Sequence, residues 1–157
     1  MTLMLDPLQI VKTTAQPAAV IHFTIPRDQI RDVMGPAIME VMAAVSAQSI
    51  GPAGPVFTHH FEMKPDVFHF EVGVPVTSVV TPVGRVFGSE IPAATVARTV
   101  YTGPYEGLGD AWGEFMDQIE AAGHKEADNL WECYVTGPES SPDSATWRTE
   151  LNRPLIA

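Results

Sequence analysis

A single cysteine, Cys133, stands in a chain of 157 residues. One thiol makes neither an intramolecular disulfide nor a cysteine-based zinc site, so nothing requires an oxidising compartment and a cytoplasmic location is the expectation. Basic residues are also few: nine Lys plus Arg against nineteen Asp plus Glu leave a formal charge of -10 and a pI near 4.7. Phosphate-tracking surfaces work by releasing counterions to clustered Lys and Arg, and no such cluster occurs, which argues against direct nucleic-acid binding. Long hydrophobic runs are missing too, so no membrane-spanning segment is expected. The opening Met1-Thr2-Leu3-Met4-Leu5-Asp6-Pro7 has no basic n-region and no long apolar h-region, and does not read as a signal peptide. Neither a phosphate-cradling Gly-rich loop nor a Gly-x-Ser-x-Gly elbow is present. What remains, 45% hydrophobic and 18% charged, is the composition of one globular domain over 1–157, with one core or two small modules sharing one.

The chain carries one plan twice, at a lag of about 75 residues. Each copy opens on Pro-Ala-Ala and a β-branched run: Pro17-Ala18-Ala19-Val20-Ile21-His22-Phe23-Thr24-Ile25, then Pro92-Ala93-Ala94-Thr95-Val96-Ala97-Arg98-Thr99-Val100-Tyr101. A helix follows in each. In the first, Ile30, Val33, Met34, Ala37, Ile38, Val41, Met42 and Val45 keep three-and-four spacing behind Asp28 as N-cap, and Pro36 predicts a kink or a break. In the second, Leu108, Ala111, Trp112, Phe115, Ile119 and Ala122 form a stripe that ends at Gly123 as C-cap. Each copy then has an antiparallel hairpin, 56–62 with 67–75 and 130–135 with 146–155, the first closed by a turn at Met63-Lys64-Pro65-Asp66. Module one therefore spans about 8–76 and module two about 84–157, with short strand candidates at Arg85-Val86-Phe87 and from Gln9 to Thr14. Strand-helix-strand-strand, twice, is an α+β plan. Helices that bury one stripe need a sheet to lie on, so an antiparallel sheet with both helices on one side and an open opposite face is expected.

Alternation along the hairpin strands predicts which side chains meet. Phe57, His59, Phe61, Phe68, Phe70 and Val72 are assigned to the helix side of the first hairpin, leaving Thr58, His60, Glu62, His69 and Glu71 on the open face. In the second, Trp131, Cys133, Val135, Trp147, Thr149 and Leu151 go under the helix, and Glu132, Tyr134, Arg148, Glu150 and Asn152 face the opening. A four-residue turn sets His60 opposite His69 and Thr58 opposite Glu71; by the repeat, Tyr134 lies opposite Arg148 and Glu132 opposite Glu150. Two carboxylates across a ladder repel and raise one pKa, which prepares a site for acid–base work or for a cation. A solvated sheet face on which Arg148 neutralises Glu150 is the competing structural reading. His60, His69 and Glu71 lack helix-borne or Cys-backed metal spacing, Cys133 belongs to the interior where thiols are inert, and Trp112, Phe115 and Met116 are core residues. No metal and no cofactor is expected.

At Pro92-Ala93-Ala94-Thr95-Val96-Ala97, Thr102-Gly103-Pro104-Tyr105-Glu106-Gly107-Leu108, Ala111-Trp112, Gly123, Trp131-Glu132-x-Tyr134 and Trp147-Arg148-Thr149-Glu150-Leu151-x-x-Pro154-Leu155, the chain resembles the GyrI-like small-molecule-binding domain. That family includes the effector-binding domains of Rob-type and BmrR-type multidrug regulators. Gly54-Pro55-Val56-Phe57 and Glu71-Val72-Gly73-Val74-Pro75-Val76 match its first half, so the likeness covers nearly the whole chain. The resemblance implies two strand-helix-strand-strand (SHS2) modules related by a pseudo-twofold, with a ligand cleft between them. It also implies a buried glutamate on the Glu-x-Tyr strand that meets lipophilic cations amid aromatic walls; Glu132 matches that position and Tyr134 is its neighbour. Where many relatives have Arg-Tyr before the first hairpin turn, this chain has His59-His60, which alters one cleft wall.

Three functions compete. The first is a stand-alone binding module for lipophilic, cationic small molecules, without a helix-turn-helix, in which Glu132, Tyr134, Glu150, Arg148, Thr58, His60, His69 and Glu71 meet the ligand. The second is a hydrolase of cyclopropane-bearing or other electrophilic toxic compounds, as the resemblance implies for some stand-alone members, with Glu132 as acid or base, Tyr134 as donor and Glu150 tuning it. The third is a protein-interaction role such as gyrase inhibition, which the acidic surface favours.

Overall fold

The computed structural model describes residues 4–156; Met1, Thr2 and Leu3, part of the N-terminal stretch that does not read as a signal peptide, lie outside the described residues. The elements are β1 (Gln9–Lys12), β2 (Gln16–Pro26), α1 (Ile30–Ala47), β3 (Phe57–Met63), β4 (Val67–Pro75), β5 (Phe87–Ile91), β6 (Thr95–Thr102), α2 (Leu108–Ala121), β7 (Lys125–Glu126), β8 (Leu130–Thr136) and β9 (Arg148–Ile156). Nine antiparallel strands and two α-helices among the described residues make the α+β fold expected from the repeat.

The chain divides into two compact units, Thr13–Ala93 and the segment from Ala94 onward together with the N-terminal stretch through Lys12. In the first, the strand order is β3-β4-β2-β5. The Gln9 to Lys12 strand belongs with the second unit, as the edge partner of β6, in the order β1-β6-β9-β8 with β7 on the far end of β9. Both units contain strand, helix and hairpin in the same sequence.

Helix α1 buries Ala37, Val41, Ala44 and Val45 against Ile21, Phe70, Val72 and Val74, the stripe its spacing predicts. Pro36 neither breaks nor ends it. Pro36 and Asp32, whose carbonyl loses its helical donor, are both exposed, so water can take up the missing bond. A 3-10 turn at Arg27–Gln29 precedes the helix, and no side chain caps it; Asp28 is not the N-cap. Helix α2 buries Ala111, Trp112, Phe115 and Ile119 on Ala97, Leu130 and Leu151, and ends at Gly123 with φ +84°. Each fully buried Phe or Ile in these stripes contributes about 1.5–3 kcal/mol.

The hairpins depart from the expected register, and in the same way. In each, one extra residue enters the first strand: between His60 and Glu62 in β3, and between Tyr134 and Thr136 in β8. Upstream of a bulge every side chain turns to the other face. His60 therefore lies opposite Phe70, not His69, and Thr58 opposite Val72, not Glu71. Glu132 lies opposite Leu151 and Tyr134 opposite Thr149, so the expected Glu132–Glu150 and Tyr134–Arg148 pairs do not form. Thr58, His60, Glu132 and Tyr134 are on the helix side of their units, while Phe57, His59, Trp131 and Cys133 are on the other.

Candidate functional site

In the second unit the β8 bulge turns Glu132 toward α2, where it is 8% exposed. A carboxylate taken that far from water costs several kcal/mol unless donors replace the lost hydration. Two aromatic donors do so. The Trp112 indole Nε1 donates to Oε2 at 2.6 Å, and the Tyr134 hydroxyl donates to Oε1 at 2.8 Å. Hydrogen bonds to a charged acceptor each contribute roughly 1.5–3 kcal/mol, enough to hold the group in place. Trp112 is core, as its helical position predicts, and also part of the site. The signal that reveals it is the indole N–H, which needs a partner once buried.

Further aromatic rings adjoin this group. Tyr105, set by the 3-10 turn before α2, meets Tyr134 edge-on at 5.8 Å and Trp147 at 4.9 Å between ring centroids. Gly137 admits the Tyr105 hydroxyl: a Cβ at 137 would stand 2.5 Å from that oxygen. Burial, then the nearby Glu139 and Glu132, push the Tyr105 phenol above its ordinary pKa. Trp147, which alternation places under the helix, is a partly exposed residue just before β9, and its indole donates to the Ser141 carbonyl at 2.8 Å. Beside Tyr134, the hydroxyl of the fully buried Thr149 has no hydrogen-bond partner.

The other expected site residues are distributed as follows. Glu150 lies on the face away from α2, 3.4 Å from Arg98 Nε and accepting from Asn152 Nδ2 at 3.1 Å. Arg148 is half exposed at the start of β9, 4.0 Å from Asp6. Cys133 shares Glu150's face, and its thiol is pushed up to about 12 by burial and then by that carboxylate; it is inert for the reason expected, on the opposite side from that expected. In the first unit Thr58 and His60 face α1. His60 packs on Phe70 and Phe68 at 5.1 Å each, its buried Nδ1 has no partner, and burial, then His59 and Arg27, lower its pKa to about 4. His69 and Glu71 lie on the opposite face of that unit's sheet. Among the described residues no group of three His, Cys, Asp or Glu is arranged to hold a metal ion, and no helix is long and apolar enough to cross a membrane. Two hollows of about 350 and 400 Å³ lie in the first unit, and neither is lined by a residue of the Glu132 set.

The sequence pattern of the GyrI-like small molecule binding domain matches residues 6–155. Among solved structures, the C-terminal domain of EcmrR superposes with a TM-score of 0.80 at 21% identity, over 96% of this chain and 97% of that domain. In the EcmrR–DNA complex the chain spans only 57% of EcmrR, at 20% identity and a TM-score of 0.79. SAV2435 bound to tetraphenylphosphonium matches at 11% identity, over 97% of this chain and 95% of that one, with a TM-score of 0.70. A hydrolase from Listeria innocua matches at 11% identity, over 95% and 91% of the two chains, with a TM-score of 0.60. At these identities the likeness concerns the fold. No curated protein matches the sequence.

Proposed function

Because the chain belongs to the GyrI-like small-molecule-binding family, we propose that it binds lipophilic organic cations at Glu132. One observation carries this reading: a carboxylate 8% exposed whose two oxygens already accept from Trp112 and Tyr134, with Tyr105 and Trp147 adjoining. A cation with delocalised charge and no N–H needs no further acceptor. It gains from the fixed negative charge and from ring faces together, an attraction that strengthens where water is excluded. The tetraphenylphosphonium held by SAV2435 is a cation of that kind. Thr149 supplies a spare hydroxyl beside Tyr134.

Titrating the protein with tetraphenylphosphonium and following tryptophan fluorescence tests this. Saturable quenching is expected, weakened by roughly tenfold or more in Glu132→Gln, since a buried ionic contact of about 1.4 kcal/mol corresponds to a factor of ten. Equal affinity in both proteins would refute it. A hydrolytic reading draws on the same constellation, since a carboxylate hydrogen-bonded to a phenol can exchange a proton with a strained substrate. Ring opening of a cyclopropane-bearing substrate at equal rates with wild type and Glu132→Gln would dismiss that alternative.

A further inference from the structure

The first unit contains a second buried carboxylate, and its surroundings differ in one chemical respect. Glu71 is 6% exposed, on the face of the sheet turned away from α1. Its Oε1 accepts from the Ser89 hydroxyl at 2.7 Å. Its Oε2 stands 3.8 Å from His22 Nδ1, too long for a hydrogen bond and within ion-pair distance when the imidazole is protonated. Glu150 holds the matching register position in the second unit, opposite Cys133 as Glu71 is opposite His59. There the chain itself supplies the counter-charge through Arg98 and an amide donor through Asn152. The places of those two residues are taken in the first unit by Val20 and Gly73. Among the described residues no Lys or Arg lies within ion-pair distance of Glu71.

We propose that Glu71 and His22 form a second ligand site, for a primary organic ammonium ion that bears an aromatic or apolar group. In the tautomer that leaves Nδ1 unprotonated, His22 offers a second acceptor 3.8 Å from Glu71 Oε2, and one nitrogen can lie about 2.8 Å from both. An ammonium group fills that gap with two of its three N–H bonds. The β3 bulge residue, Phe61, stacks on His22 at 5.9 Å and packs on His69 at 5.3 Å and His59 at 4.5 Å, giving a ring surface for the rest of the ligand. The side chains of His22 and His69 are about one-third exposed, 38% and 33%, so the rim is reachable from solvent. The two sites differ in their donors: Glu132 already accepts one hydrogen bond on each oxygen, from Trp112 and Tyr134, whereas Glu71 accepts one on Oε1 only, which favours an N–H-bearing cation at Glu71.

Benzylammonium and its quaternary analogue benzyltrimethylammonium separate the cases. Calorimetric titration at neutral pH should show benzylammonium binding at least tenfold more tightly than the quaternary ion. Glu71→Gln should weaken benzylammonium at least tenfold, and Glu40→Gln, which removes a half-exposed carboxylate paired with Arg85, should leave it within twofold. In NMR spectra of wild type, the His22 and His69 ring resonances should shift on adding benzylammonium, a readout that holds even if the Glu71 variant folds poorly. No binding of benzylammonium, equal binding of the two ions, unmoved histidine resonances, or loss in Glu132→Gln but not in Glu71→Gln would each overturn the proposal. Failure of tetraphenylphosphonium to bind leaves this site standing, so the two assignments fall separately.

Discussion

The hairpins β3–β4 and β8–β9 share one backbone plan, including a bulge at the same step, yet they bury their charge on opposite faces. On the helix side, the second unit has Glu132 and Tyr134 where the first has Thr58 and His60. On the other side, Glu150 has Arg98 and Asn152, whereas Glu71 has Ser89 and His22. A duplicated scaffold therefore sets where a polar group can be placed, and the identity of a few side chains decides which groups surround it.

The largest expected contrast is between Phe70 and Thr149, which occupy matching positions opposite His60 and Tyr134. Phe70→Ala empties the first core and should cost about 3–5 kcal/mol in denaturant unfolding. Thr149→Val removes a buried hydroxyl without a partner; it should be neutral or stabilising by up to about 1 kcal/mol, while weakening cation binding if that hydroxyl serves a ligand. A loss of stability in Thr149→Val would show that the hydroxyl is satisfied in solution.

Next comes the response of His60 to acid. The folded pKa of His60 is about 4, below its ordinary 6.5, so the unfolded chain takes the proton first. The stability this imidazole contributes is complete above pH 6.5, falls as pH drops toward 4, and the loss amounts to about 3 kcal/mol. His60→Phe, measured by urea unfolding across that range, should flatten this part of the profile; an unchanged profile would place the titrating group elsewhere.

A smaller effect follows from Trp112→Phe, which keeps a ring in the stripe but removes the donor to Glu132. Leaving that buried oxygen short of a bond should cost about 1–3 kcal/mol and lower tetraphenylphosphonium affinity, and unfolding curves with and without the cation report both. The smallest concerns Cys133. With its pKa pushed up to about 12, only about one thiol in ten thousand is ionised at pH 8, so alkylation of the folded protein by iodoacetamide should be very slow and should speed up in urea.

Much of this was legible before any coordinates. Hydrophobic spacing located α1 and α2, β-branched runs located β2 and β6, and Gly123 marked the end of α2. The Glu-x-Tyr strand pointed to Glu132 and Tyr134, which do meet. Other parts were hidden. Pro36 reads as a kink or a break because spacing carries no information about whether its lost bond faces water. Trp112 looked like core alone because a helical stripe does not reveal what its indole N–H touches. Tyr105 and Trp147 sit in irregular segments, where alternation says nothing about direction. His22 belongs to a strand with no hairpin partner in the sequence argument, so its approach to Glu71 had no local signature.

Composition, periodicity and the repeat were sufficient for the class of fold, the placing of both helices and the presence of a charged residue on the eighth strand, because these follow from interactions between neighbours along the chain. Which face each hairpin residue occupies was settled only by the tertiary structure. One bulge residue inverts every side chain beyond it, and no local spacing announces it: the extra residue is Phe61, packed against His22, His59 and His69, in one unit and the exposed Val135 in the other.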